Sequence, residues 1–93
     1  MERSSEDLSH PRRSLGNRHR TQALKFLELA DADPERRDQN ISWAEQNARQ
    51  AVLHDFTNEL NWTVLADVKR KGGDAGGLRA VLEDLFGVLA KIW

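Results

Sequence analysis

The sequence predicts an all-α domain: a small four-helix bundle, or repeat-like helical hairpins, behind a disordered N-terminal arm. Three observations carry that prediction. Apolar residues recur at threes and fours in four separate segments, helix start and stop signals divide those segments, and no stretch alternates at period two for long enough to form a strand. The chain has 93 residues and no Cys. It therefore makes one domain at most, and neither a disulfide nor a thiolate metal site is there to staple it. A core this small depends on helix packing or on association.

Met1 to Gly16 is polar, with Leu8 and Leu15 its sizeable apolar side chains after the initiator Met, and reads as a disordered arm with too little apolar surface to join the core. Within it, Arg12-Arg13-Ser14-Leu15 has the composition of a basophilic kinase site, weighed against a plain solubilising tail. Residues 17–93 are the expected helical domain. Asn17 is a candidate cap for a first helix running through Ala30, with an apolar face of Ala23, Leu24, Phe26, Leu27 and Ala30.

Asp33-Pro34-Glu35 marks the start of a second helix: Asp33 as cap, Pro34 preset for the first helical position, and Glu35 at the positive end of the dipole. Ile41, Ala44, Ala48, Ala51 and Val52 continue the period without Gly or Pro, so this helix runs to His54. A shorter helix capped by Asn40 or Ser42 is the alternative. Asp55, Thr57 and Asn58 read as a turn and cap, followed by a third stripe of Leu60, Val64, Leu65 and Val68 with Trp62 beside it. Lys69, Arg70 and Lys71 favour the negative end of that helix, and Gly72 is the expected left-handed cap. Asp74 caps the last helix, in which Leu78, Val81, Leu82, Leu85, Phe86, Val88, Leu89 and Ile92 form the broadest apolar stripe in the chain. That breadth predicts a central helix onto which the others pack, with Leu85, Leu89 and Ile92 facing them.

Charge excludes some functions. Met1 to Arg20 holds five Arg against three acidic residues (+2), and the remainder holds nine basic and twelve acidic residues (−3). Such a domain lacks the basic surplus of a phosphate reader, so nucleic acid is not the expected partner. A nucleic-acid-binding regulator using Lys69, Arg70 and Lys71 is the third reading, set against the ordinary role of cations that close a helix. No apolar run approaches a signal peptide or a membrane span, and the expected location is cytoplasmic without membrane association. His10, His19 and His54 have no second ligand at metal-binding spacing, and no cofactor fingerprint is present, so no metal or cofactor is expected.

The segment from Ala44 to Leu85 resembles the tetratricopeptide helical repeat. The resemblance rests on Ala44, Ala48, Ala51-Val52, Asp55 and Asn58, then on Trp62, Leu65-Ala66, Gly72-Gly73-Asp74, Leu78, Leu82 and Leu85. It implies a partner-binding surface and no catalysis. Arg49-Gln50-Ala51-Val52-Leu53-His54 is similar to the ribonuclease motif of HEPN domains. That similarity implies a dimeric ribonuclease, or a toxin–antitoxin-type component, in which His54 transfers protons and Arg49 neutralises phosphate charge. Five helical positions separate the two by about 140° around the axis, so one phosphate meets both only if the helix ends at His54 or a second chain contributes. The plainer reading makes His54 a helix-end residue and Arg49 a solvated charge.

Taken together, these residues point to a non-enzymatic protein-interaction module, with a protein partner or a homo-oligomer as its complement. Trp62, Lys69, Arg70 and Trp93 are its candidate contact residues, since an exposed Trp or Arg is the side chain most often found at binding hot spots.

Overall fold

The computed structural model describes residues 11–92, apart from the side chain of Ile92. Four α-helices follow one another: α1 (Pro11–Ala32), α2 (Arg37–His54), α3 (Glu59–Lys71) and α4 (Ala75–Ile92), with a short 3-10 turn at Pro34–Arg36 leading into α2. Helices α1 and α2 form one hairpin and α3 and α4 a second. Helix α3 joins the hairpins, because it packs on both α1 and α2 while, among the described residues, α4 packs on α3 alone. The Cα trace measures 43 × 35 × 13 Å, a slab in which few helix faces are covered on all sides.

The first hairpin is closed by small side chains. Ala23 and Ala30 of α1, seven residues apart, and Ala44, Ala48 and Ala51 of α2, at four- and three-residue intervals, are all buried, so the backbones approach closely along that seam. Leu27, Val52, Trp62, Val64, Leu65, Val68 and Val81 complete the core above it. The first helix starts at least six residues earlier than the expected Asn17. Pro11 to Gly16 is helical, and Gly16 is buried where α1 crosses the α2–α3 corner. A Cβ there would lie 2.8 Å from Asp55 Cβ and 3.2 Å from Asn61 Nδ2, so this crossing requires a glycine. Asn17 is consequently a mid-helix residue whose carbonyl accepts from Thr21 Oγ1 at 2.9 Å, not a cap. Ser14 is a partly buried helical residue rather than part of an extended arm. Of the arm expected over residues 1–16, residues 11–16 are therefore helix instead, and residues 1–10 lie outside the described residues.

The long second helix is present, with its first turn wound as 3-10. Asp33 begins it through its carbonyl, which accepts from Arg36 N at 3.1 Å, while its carboxylate pairs with Arg36 Nη1 at 3.0 Å. Asn58 caps α3 as expected, its side chain accepting from Leu60 N at 3.0 Å. The stripe of α3 differs from the expected one by a residue: Leu60 is 52% exposed, and Asn61 takes the core position. At the end of α3 the left-handed residue is Gly73 (φ +72°), not Gly72, whose φ is −79°. Asp74 N donates to Lys69 O at 2.9 Å and Gly73 N to Arg70 O at 3.1 Å, the paired bonds of a Schellman termination, which places the left-handed residue one position later.

The central role expected of the last helix is overturned. Val81 is its buried side chain, Leu85 and Val88 are partly buried against the core, and Leu82 and Phe86 face solvent. A broad stripe implies several partners, whereas among the described residues it meets one. The packing centre is α3, which carries Trp62, Val64, Leu65 and Val68.

Two stability outcomes follow from this arrangement. Leu65→Ala is expected to cost about 2–5 kcal/mol, the range for emptying a packed site, and Leu85→Ala less than that, both read from denaturant melts. Gly16→Ala is expected to destabilise by about 1–2 kcal/mol although Ala favours a helix, because the crowding outweighs the gain in propensity. An unchanged midpoint for Gly16→Ala would refute the close crossing.

Candidate functional site

The last helix presents two apolar faces. Asp74 starts it, its Oδ1 accepting from Gly77 N at 2.8 Å. A Cβ at Gly77 would strike that carboxyl group and come within 3.0 Å of Lys69 Cδ, so Gly77 lets the cap and the lysine stem fit together. From there Val81, Leu85 and Val88 point toward α3. About 100° around the axis, at one-turn intervals, Leu78, Leu82 and Phe86 line a shallow apolar groove with Ala75. Leu82 is 40% and Phe86 65% exposed. Arg79 and Glu83 border the same groove, and neither has an ion-pair partner among the described residues.

A buried ion cluster holds this helix in place. The Lys69 ammonium, on a side chain 9% exposed, lies 2.7 Å from Glu45 Oε2 on α2 and 3.6 Å from Asp74 Oδ2 at the start of α4. Glu45 also accepts from Arg49 Nη2 at 2.8 Å and Nε at 3.0 Å. The hydrogen bond from Lys69, reinforced by Arg49, holds the Glu45 carboxyl below its ordinary value of 4.5. In the same last turn of α3, Lys71 Nζ bonds Asp31 at 2.9 Å, and this bond, with the Lys71 charge and then Arg37, lowers the Asp31 pKa.

The residues singled out from sequence fall in different places. Trp62 is only 7% exposed, and its indole N–H donates to Phe56 O at 2.6 Å, so it is a core residue rather than a contact residue. Lys69 is sequestered in the ion cluster, because its stem lies between α3 and the start of α4. Arg70 is exposed and pairs with Asp67 at 3.1 Å. Trp93 lies outside the described residues. All three cations of Lys69-Arg70-Lys71 thus have partners within the chain. Arg49 and His54 diverge as their separation on the helix requires: Arg49 turns to Glu45 and borders a cleft with Leu65, Lys69 and Asp84, whereas His54 stacks on His19 of α1 with ring centroids 5.4 Å apart. His19 Nδ1 in turn lies 3.2 Å from Asn47 Oδ1.

A larger depression, about 900 Å³, lies elsewhere, between the start of α1 and the α2–α3 corner. Its walls carry both Arg12, Arg13 and Arg20 and Asp55 and Glu59, and Arg20 is already bound to Asn61 at 2.8 Å. Mixed charge gives it no single ligand preference, so the apolar groove of α4 is the stronger candidate despite its smaller size. Among the described residues no three His, Asp or Glu side chains converge to hold a metal, and no helix is long and apolar enough to cross a membrane.

The outer face of α4 was present in the sequence as part of the broad stripe, but Leu78, Leu82 and Phe86 were read as core. The missed signal was the count of neighbours: a helix with one partner cannot bury both Val81 and Phe86. Asn61 was missed as well, although its spacing to Leu65 and Val68 places it on the apolar stripe.

Glu45→Ala is expected to cost about 1–3 kcal/mol, below the range for removing one partner of a fully buried pair, because Glu45 keeps 29% of its side-chain surface in water. Arg49→Ala, on the exposed side of the same carboxylate, should cost about 0.5 kcal/mol or less. The lowered Glu45 and Asp31 values mean that the unfolded chain takes up protons first as pH falls. Their contribution is complete above their ordinary values and is lost as pH drops through the lowered folded ones. The melting temperature should therefore fall on acidification below pH 4.5, and Glu45→Gln should make that fall shallower.

No family model, no curated protein and no solved structure matches this chain. Its function is accordingly argued from its own surface.

Proposed function

We propose that this chain is a non-enzymatic helical protein-interaction module that docks its partner along the outer face of α4. The observation that carries this reading is Phe86, a large apolar side chain 65% exposed, aligned with Leu82 and Leu78 on a helix held rigidly by its other face. Among the described residues no other helix covers Leu82 or Phe86. Docking would remove Leu82 and Phe86 from water and contribute about 1–2 kcal/mol for each. The surrounding polar groups support the same reading, since Lys69, Arg70, Lys71 and Arg49 are each engaged in internal ion pairs.

Phe86→Glu should leave the stability of the purified chain within about 0.5 kcal/mol, as expected of a surface position, while abolishing docking. A photoreactive benzoylphenylalanine in place of Phe86 should crosslink to a polypeptide, its own copy or another, whereas the same probe in place of exposed Glu35 should not. Absence of any crosslinked polypeptide, both in the purified chain and in the cells of its source, would refute the module.

A further inference from the structure

We infer that the partner on this face is a second copy of the chain, with the two α4 helices antiparallel about Leu82. The inference rests on the docking reading above and names its occupant. Leu78 and Phe86 lie four residues on either side of Leu82, and Ala75 and Leu89 seven residues on either side. Reversing the helix about Leu82 therefore sets each Leu82 on the other, Leu78 against the partner's Phe86, and the small Ala75 against the partner's Leu89. Each large side chain meets one it can pack against, which is the self-complementarity a two-fold interface needs.

Charge selects the antiparallel arrangement. Arg79 and Glu83 stand on the same flank of the apolar row, and among the described residues neither is paired within the chain. An antiparallel pair brings this flank against its own copy. Along that seam the order is Arg79, the partner's Glu83, Glu83 and the partner's Arg79, so each Arg79 lies about 3 Å along the axis from the partner's Glu83 and the two guanidinium groups flank and offset the two carboxylates that meet at the centre. A parallel two-fold would instead turn this flank toward the side of the partner helix occupied by α3, leaving both charges unmatched. It would also align the two helix dipoles, which the antiparallel pair opposes.

Size sets the strength. Eighteen residues give a seam about 27 Å long, too short to reach about 800 Å² per partner, so the dimer belongs to the weak, concentration-dependent class. Between about 10 μM and about 1 mM, sedimentation equilibrium should show the average mass rising from 10.6 kDa toward twice that value. Arg79→Glu and Glu83→Arg, both on exposed positions, should each weaken association about tenfold, since each turns two attractions into two repulsions. The double variant R79E/E83R should restore it to within about threefold, with circular dichroism melts confirming that every variant is folded. Rescue by the double variant is the decisive result, because general apolar stickiness would not show it. A mass of 10.6 kDa throughout the range, or a dimer indifferent to both charge reversals, overturns self-pairing. If the monomeric chain still crosslinks from position 86 to a different polypeptide, self-pairing alone fails and the docking reading stands. If it crosslinks to nothing, both fail.

Discussion

Asn61 ties together the helices on which everything else rests. Its side chain is fully buried, and its amide donates to Ala51 O at 3.1 Å and Asp55 O at 3.0 Å while its oxygen accepts from Arg20 Nη1 at 2.8 Å. One residue of α3 thereby gives a second donor to the Ala51 and Asp55 carbonyls, which also accept from Asp55 N and Asn58 N, and accepts a charged donor from α1. A buried amide with all these bonds made holds a specific arrangement, whereas an apolar residue in its place would break the bonds that tie α3 to the end of α2 and would leave Arg20 without this acceptor. The close crossing at Gly16 is the steric side of the same junction, since α1 approaches nearest where Asn61 and Asp55 stand.

From that junction the order of the molecule follows. Helix α3 is held at its start by Asn58 and Asn61 and at its end by Arg37 Nη2, which donates to Lys71 O at 2.6 Å. With both ends held, its apolar side chains fill the space above the alanine seam, and α4 receives what remains of α3 on the far side. Lys69 serves this last step. Its ammonium is shared between Glu45 and Asp74, so the residue that caps α4 also belongs to the ion cluster that joins α2 to α3. The direction of α4, and with it the direction in which Leu82 and Phe86 face, depends on a lysine whose sequence context reads as a simple helix terminus.

The functional argument stands on an imbalance between apolar supply and available partners. Helix α4 has apolar residues enough for two contact faces, and a slab 13 Å thick offers it one neighbour. The second face carries a symmetric row of side chains with opposite charges beside it, features that a core face does not need and an interface does.

The sequence alone determined the helical class, the four helices and most of their ends, because periodicity, Pro34, Asn58 and Asp74 act locally and their bonds form within a few residues. It also marked α4 as unusually apolar. What it left open depends on contacts between residues far apart in the chain. Trp62 and Leu60 differ by two positions, and only the placement of α1 and α2 decides that the first is core and the second exposed. Lys69 could not be told from Arg70 until Glu45, 24 residues away, closed over it. The start of α1 escaped notice because polar residues and a glycine give no helical period, while the reason for the glycine lies at Asp55 and Asn61. Tertiary structure decided, above all, which half of the α4 stripe is buried: periodicity reports that a face is apolar, and only packing geometry counts the neighbours available to cover it.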